Sequence, residues 1–203
     1  MFKISMNDID RLFKAISEVD TLYLPIERGE QIEFYAYDEE AKVRLDALHT
    51  VKSAKDAFLP NCETMMKFKV EGKNIEVEET ARVEEEFVIF GVRACDARSF
   101  SILDKVYLSD PVDTFYAARR EHGVVVSMAC NRPEETCFCN KFDIDATKPE
   151  GDVVTWIVGD ELFWEAQTEK GEALTEKVKS VLTDADSAAV DKQREEVKAI
   201  MDK

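Results

Sequence analysis

Two apolar runs constrain the fold of this chain more than any other feature. EFVIFGV (residues 86–92) and GVVVSMA (123–129) each read as a strand buried on both faces, and each is followed by a cysteine, Cys95 and Cys130. Between them DARSFSILDKVYL (96–108) sets Phe100, Leu103, Val106 and Tyr107 on one helical face, and DTFYAARRE supplies a second short helix after Pro111. Strand, helix and strand, with both strands fully apolar, predicts a parallel pair joined by a crossover. Both strands then end on the same sheet edge, where open α/β sheets hold their ligands. Cys95 and Cys130 emerge there side by side.

The segment MACNRPEETCFCN (128–140) carries three of the chain's five cysteines, Cys130, Cys137 and Cys139. Cys95 is the fourth thiol of the set, and the 131–142 loop folds Cys137 and Cys139 back over the edge that carries Cys95 and Cys130. Four thiolates suit a [4Fe–4S] cluster or a structural zinc, and bare thiols are the third reading; chemistry alone leaves all three open. The single residue between Cys137 and Cys139 differs from the two-residue knuckle typical of zinc and tips the balance slightly toward iron–sulfur.

Neighbouring residues add detail. A helix starting near Asp96 would aim its positive end at Cys95. Backbone N–H groups of Asn131–Thr136 are placed to hydrogen-bond cluster sulfurs. Phe138, between two ligands, shields the metal or is simple core. Arg93 pairs with a negative cluster or with Asp96, or makes a surface salt bridge. Cys62 reads as a small buried residue outside the set. A redox sensor built on Cys137 and Cys139 would need a thiolate of low pKa.

Elsewhere, Ile9, Leu12, Phe13, Ile16 and Val19 recur at helical spacing behind Asn7 or Asp8 as cap. TLYLPIERG and QIEFYAYDE predict two strands about a glycine turn. KFKVEGKNIEVEE predicts a hairpin turning at Glu71–Asn74, and VVTWIVGDELFWEAQT another at Gly159–Asp160. From about Glu172 the chain should be mostly helical, with Val190, Val197 and Ile200 too sparse for core. The fold class is therefore α/β, with α+β as the alternative. A mixed sheet carries the cysteines on its parallel unit, with peripheral hairpins and a C-terminal helix. Residues 1–175 form one domain, and 176–203 a helical tail or linker toward a partner or a ferredoxin module.

A net charge of −16, from 27 basic and 43 acidic residues, argues against nucleic acid, because such a surface repels phosphates. The first twenty residues lack the apolar stretch of a signal peptide, and no uncharged run is long enough for a bilayer. The expected compartment is the cytoplasm, where thiols stay reduced and clustered cysteines read as ligands rather than disulfides. No Gly-rich phosphate loop adjoins a strand, and His49 and His122 lie in polar contexts without a Ser or Asp arrangement, so no catalytic residue is expected.

The cysteine motifs also carry a family resemblance. Gly91-Val92-Arg93-Ala94-Cys95-Asp96 and the run from Cys130 to Cys139 resemble the G-V-R-P-C-D and C-x-x-P-x-x-x-C-F-C motifs of one electron-transfer family. It contains the beta subunits of sulfhydrogenases and the A subunits of anaerobic sulfite reductases. SAKDAFLPNCETMMKF and Gly151-Asp152-Val153 extend the likeness over roughly residues 50–175. Ala94 replaces the motif's proline, while the ligand after it is kept. The resemblance implies one [4Fe–4S] cluster on Cys95, Cys130, Cys137 and Cys139, with Zn as the alternative. It further implies electron transfer in an anaerobic multi-subunit oxidoreductase, alongside a ferredoxin-like or flavin-containing redox subunit and a catalytic subunit. The C-x-x-C-x-x-C-x-x-x-C repeats of the family's ferredoxin-like domain do not occur in these residues, so no further cluster is expected here.

Overall fold

The computed structural model describes residues 1–79 and 85–201; Asp202 and Lys203, the end of the expected tail, lie outside them. The first apolar run becomes strand β6 (Phe87–Arg93) and the second β7 (Gly123–Met128), and every residue of both is buried. Helices α2 (Ala94–Tyr107) and α3 (Thr114–His122) join them, and the two strands pair in parallel. Phe100 on α2 is buried as expected, but Val106 turns to solvent.

These strands sit at the centre of an eight-stranded sheet ordered β10-β1-β9-β8-β7-β6-β2-β3. Strands β2 (Thr21–Arg28), β6, β7 and β8 (Val153–Val158) run parallel, in chain order. Two of the three predicted strand pairs belong to this sheet. β3 (Gln31–Ala36) closes one edge against β2, and β9 (Glu161–Ala166) follows β8 antiparallel through the positive-φ turn at Gly159. The β8–β9 hairpin is thus interior rather than peripheral, because β1 (Phe2–Ser5) and β10 (Thr183–Asp184) extend the sheet beyond it.

Helices cover both faces. On one, α1 (Ile9–Ser17) and α4 (Glu169–Val178) bury Leu12, Phe13, Ile16, Leu174 and Val178 against Val88, Phe90, Val126 and Trp164. Val19 falls past the end of α1 and is exposed; Asp8 takes the N-cap position of α1 without a side-chain cap bond, and Ser5 caps the short 3-10 turn Met6–Asp8 that leads into it. On the other face, α2, α3 and a short turn at Ala54–Ala57 pack Phe58, Phe100 and Tyr116 onto Phe87, Ile89 and Val125. Helix α5 (Ala188–Met201) lies on this second face. Its Val190 and Val197, expected to be too sparse for core, are buried, with Val190 in a cluster containing Trp156 and Phe163. Two valines suffice because the large Trp156 ring fills the space between helix and sheet.

The remaining predicted hairpin forms as β4 (Met66–Glu71) and β5 (Asn74–Glu79), turning through Gly72 at φ 62°. It is a separate two-stranded sheet, and residues 66–78 are all exposed.

Candidate metal centre

A backbone irregularity in β6 sets up the site. Gly91 adopts φ 94°, and the β6–β7 register slips between Phe90 and Val92. This bulge realigns the strand so that Arg93 lies opposite Met128. A side chain at position 91 would meet Pro25 Cδ at 3.2 Å, in a backbone region L-residues rarely adopt. Cys95 and Cys130 thus each lie two residues beyond a paired strand end, at one edge of the sheet.

Cys95 falls in the first turn of α2, where the backbone N–H groups of Cys95 and Asp96 bias its sulfur toward the thiolate. Partial burial and the Asp96 carboxylate outweigh this bias and raise the thiol's pKa. Burial pushes Cys130 up to about 11 against the opposing pull of Arg93, and raises Cys139 as well.

The four thiols of the predicted set also repel one another as thiolates. Cys95, Cys137 and Cys139 each raise Cys130, and Cys95 and Cys137 raise Cys139. The strand ends and the loop therefore bring all four into one electrostatic neighbourhood. Cys62 is not part of it, and is exposed rather than buried as expected. It borders a cleft beside Glu63, whose carboxylate pairs with Arg119.

The cysteine loop is tied down by short-range bonds. The Glu134 N–H donates to Cys137 Sγ at 3.3 Å, as foreseen for the Asn131–Thr136 amides. Cys130 N–H reaches Ala146 O at 2.9 Å, and Ile144 N–H reaches Cys139 O at 3.1 Å. Phe138 is 61% exposed and pairs with Phe142, ring centroids 5.6 Å apart, which excludes the simple-core reading.

Arg93 does not pair with Asp96, whose carboxylate instead accepts from Ser53 Oγ at 2.7 Å and Lys55 Nζ at 3.3 Å. Nor is Arg93 a surface salt bridge, since it is only 8% exposed. Its guanidinium donates to three backbone carbonyls: Leu45 O at 2.6 Å, Ala47 O at 2.9 and 3.1 Å, and Ala129 O at 3.1 Å. Among the described residues no carboxylate lies within ion-pair distance. Burial lowers its pKa, and the charges that oppose this most are Cys130 and Cys95.

Sequence reasoning did not foresee the 37–53 segment as part of the site. It supplies two of the three carbonyls to Arg93, and its His49 Nε2 lies 3.0 Å from Glu134 of the cysteine loop. Sparse hydrophobicity and lack of periodicity hid it; the one available signal was a lone histidine five residues after Arg44. A cavity of about 600 Å³ lies between this segment, α1 and the strand ends, lined by Phe13, Leu45, Arg93, Met128 and Arg132 among others.

Among the described residues, no group of three or more His, Cys, Asp or Glu side chains forms a set that could hold one metal ion as it stands. The donor chemistry nonetheless fits an anionic sulfur-ligated cluster: four thiols on one edge, an amide aimed at a sulfur, and a buried cation without a carboxylate.

No family model matches the chain, and no solved structure matches it. Sulfhydrogenase 2 subunit beta of Pyrococcus furiosus is 30% identical over 178 residues, which cover 81% of this chain and 51% of that protein. The chain thus spans about half the length of this curated relative. Together with the cysteine motifs, that match supports the sulfhydrogenase beta subunit family for this chain.

Proposed function

We propose that the chain is a cytoplasmic electron-transfer subunit of an anaerobic multi-subunit oxidoreductase, holding one [4Fe–4S] cluster on Cys95, Cys130, Cys137 and Cys139. The observation that carries this reading is Arg93, a buried guanidinium with no carboxylate within ion-pair distance among the described residues, whose charge is offset most by Cys130 and Cys95 and less by Asp46. Burying an uncompensated cation costs several kcal/mol by general estimate. Four thiolates on a cluster supply the missing negative charge. The bound group would store and release single electrons. The chain's own residues position the thiols, donate to their sulfurs and offset their charge.

Two alternatives fare worse. A zinc staple needs four thiolates converging on one ion, whereas a cubane binds each thiolate to a different iron and tolerates a wider set. A redox sensor at Cys137 and Cys139 needs a depressed thiol pKa, and burial raises Cys139.

In this reading electrons pass between a ferredoxin-like or flavin-containing subunit and a catalytic subunit, with no substrate chemistry on this chain. The relative's name, sulfhydrogenase 2 subunit beta, supports an assembly of that kind. Protein made anaerobically with iron and sulfide should hold about four irons and four labile sulfides per chain. Serine at any of the four cysteines should abolish or convert the cluster, while Cys62→Ser leaves it intact. Stoichiometric zinc without labile sulfide would overturn the proposal.

A further inference from the structure

The β4–β5 hairpin has two unlike faces. Its cross-strand pairs put Phe68 beside Val77 and Val70 beside Ile75, with Met66 continuing the row. The opposite face pairs Lys67 with Glu78 and Lys69 with Glu76, and Lys69 also pairs with Glu71 at 2.6 Å. That polar face carries charges of both signs and is exposed to water, which solvates them. The apolar face satisfies nothing: Met66, Phe68, Val70, Ile75 and Val77 are 56–70% exposed.

Five such side chains present on the order of 500 Å² of apolar surface, near the top of what a monomer shows in one patch. An isolated two-stranded hairpin is marginal in water, and gains stability when its apolar face packs on something else. Two hairpins face to face would bury only about 1,000 Å² in total, below the usual range for a specific interface. That contact would also bring a charge of −16 against another −16. Area and charge both count against a second copy.

We propose that the β4–β5 hairpin is the docking arm by which this chain attaches to another subunit of its assembly. Its receptor is an apolar groove with a basic rim on that subunit. This rests on the subunit reading above. The groove buries the Met66–Phe68–Val70 and Ile75–Val77 rows and can add a strand to an open hairpin edge. Basic residues around it complement the chain's acidity. The hairpin lies just upstream of the amino end of β6, whereas the cysteines lie beyond its carboxyl end.

Hydrogen exchange on the assembly purified from its native host, compared with the isolated chain, tests this, alongside a Phe68→Lys/Ile75→Lys variant. The β4 and β5 amides should exchange rapidly in the isolated chain and at least tenfold more slowly in the assembly. The double variant should lose its partner while its unfolding midpoint and iron content stay at wild-type values. An assembly that forms with those amides unprotected, or survives the double substitution, overturns the docking arm and leaves the subunit reading standing. A chain that purifies alone overturns both. Protection that appears in the isolated chain as a dimer forms at rising concentration assigns the face to a second copy and overturns the partner.

Discussion

Replacing Arg93 separates its role as a clasp from its role as a counter-charge. Arg93→Met removes the donors to Leu45, Ala47 and Ala129, and each carbonyl left unsatisfied costs about 1–3 kcal/mol. It also removes a buried cation that has no carboxylate within ion-pair distance among the described residues, which returns several kcal/mol. In the metal-free chain the two effects oppose each other, and urea unfolding should show a net change under about 2 kcal/mol. The loaded protein should behave differently. At an effective dielectric near 20, a unit charge separated by about 6 Å from a bound cluster would be worth about 3 kcal/mol. For a one-electron couple that lowers the midpoint potential by on the order of 120 mV when the charge is removed. Arg93→Lys keeps the charge but not the fork, so its potential should stay within about 40 mV of wild type while its stability falls. Anaerobic spectroelectrochemical titration of the three proteins decides the matter. A methionine variant that holds its cluster at an unchanged potential would refute the counter-charge argument.

Three further outcomes follow from local geometry. Gly91→Ala places a side chain at φ 94° and 3.2 Å from Pro25, and should cost about 1–3 kcal/mol in denaturant unfolding; an unchanged midpoint would show the bulge to be dispensable. Asp104 accepts from Tyr116 at 2.7 Å and from both arms of Arg120 at 2.8 and 2.9 Å, and these bonds outweigh burial to hold its pKa below the usual carboxylate value. Its stabilisation is therefore present above about pH 4 and lost as pH falls through the lowered folded value. The wild-type advantage over Asp104→Asn, on the order of 2–3 kcal/mol at neutral pH, should shrink in acid, and a pH-independent gap would contradict this. Val197→Asp, at a position 3% exposed, should loosen α5 by about 2–5 kcal/mol. Iron content should fall with it, and full iron retention with α5 detached would separate the helix from the site.

The parallel unit was legible because its signal is chemical as well as periodic. A strand buried on both faces cannot alternate, so EFVIFGV and GVVVSMA stood out, and a cysteine just past each fixed the functional edge. The hairpins were legible from turn residues alone, as Gly29, Gly72 and Gly159 all take positive φ. What stayed hidden were contacts made by segments without pattern. Nothing in residues 37–53 announces that Leu45 and Ala47 will offer carbonyls to an arginine nearly fifty residues away. The strand β1 is four residues long, too short for any periodicity, and it belongs to the sheet only because β9 and β10 flank it.

The reading of α5 shows where sparse hydrophobicity misleads. A helix with two buried valines in fourteen residues resembles a solvated lever, yet its other contacts reach the cysteine loop. Gln193 Nε2 donates to Asn131 Oδ1 at 2.9 Å, and Asn140 Nδ2 donates to Met201 O at 2.9 Å. Lys198 pairs with Asp145 at 3.2 Å, and Asp145 in turn accepts from the Thr147 N–H at 2.9 Å. Each of these polar contacts is worth little alone where solvent reaches it. Together they bridge α5 to both ends of the segment that holds Cys137 and Cys139. That segment has only one short 3-10 turn of its own, at Cys139–Phe142, so its ordering has to come from neighbours. The helix on one side, and His49 with the 37–53 segment on the other, restrain a loop that its own sequence leaves free. The four thiols are thus gathered by three parts of the chain, of which only the strand pair declares itself in the sequence.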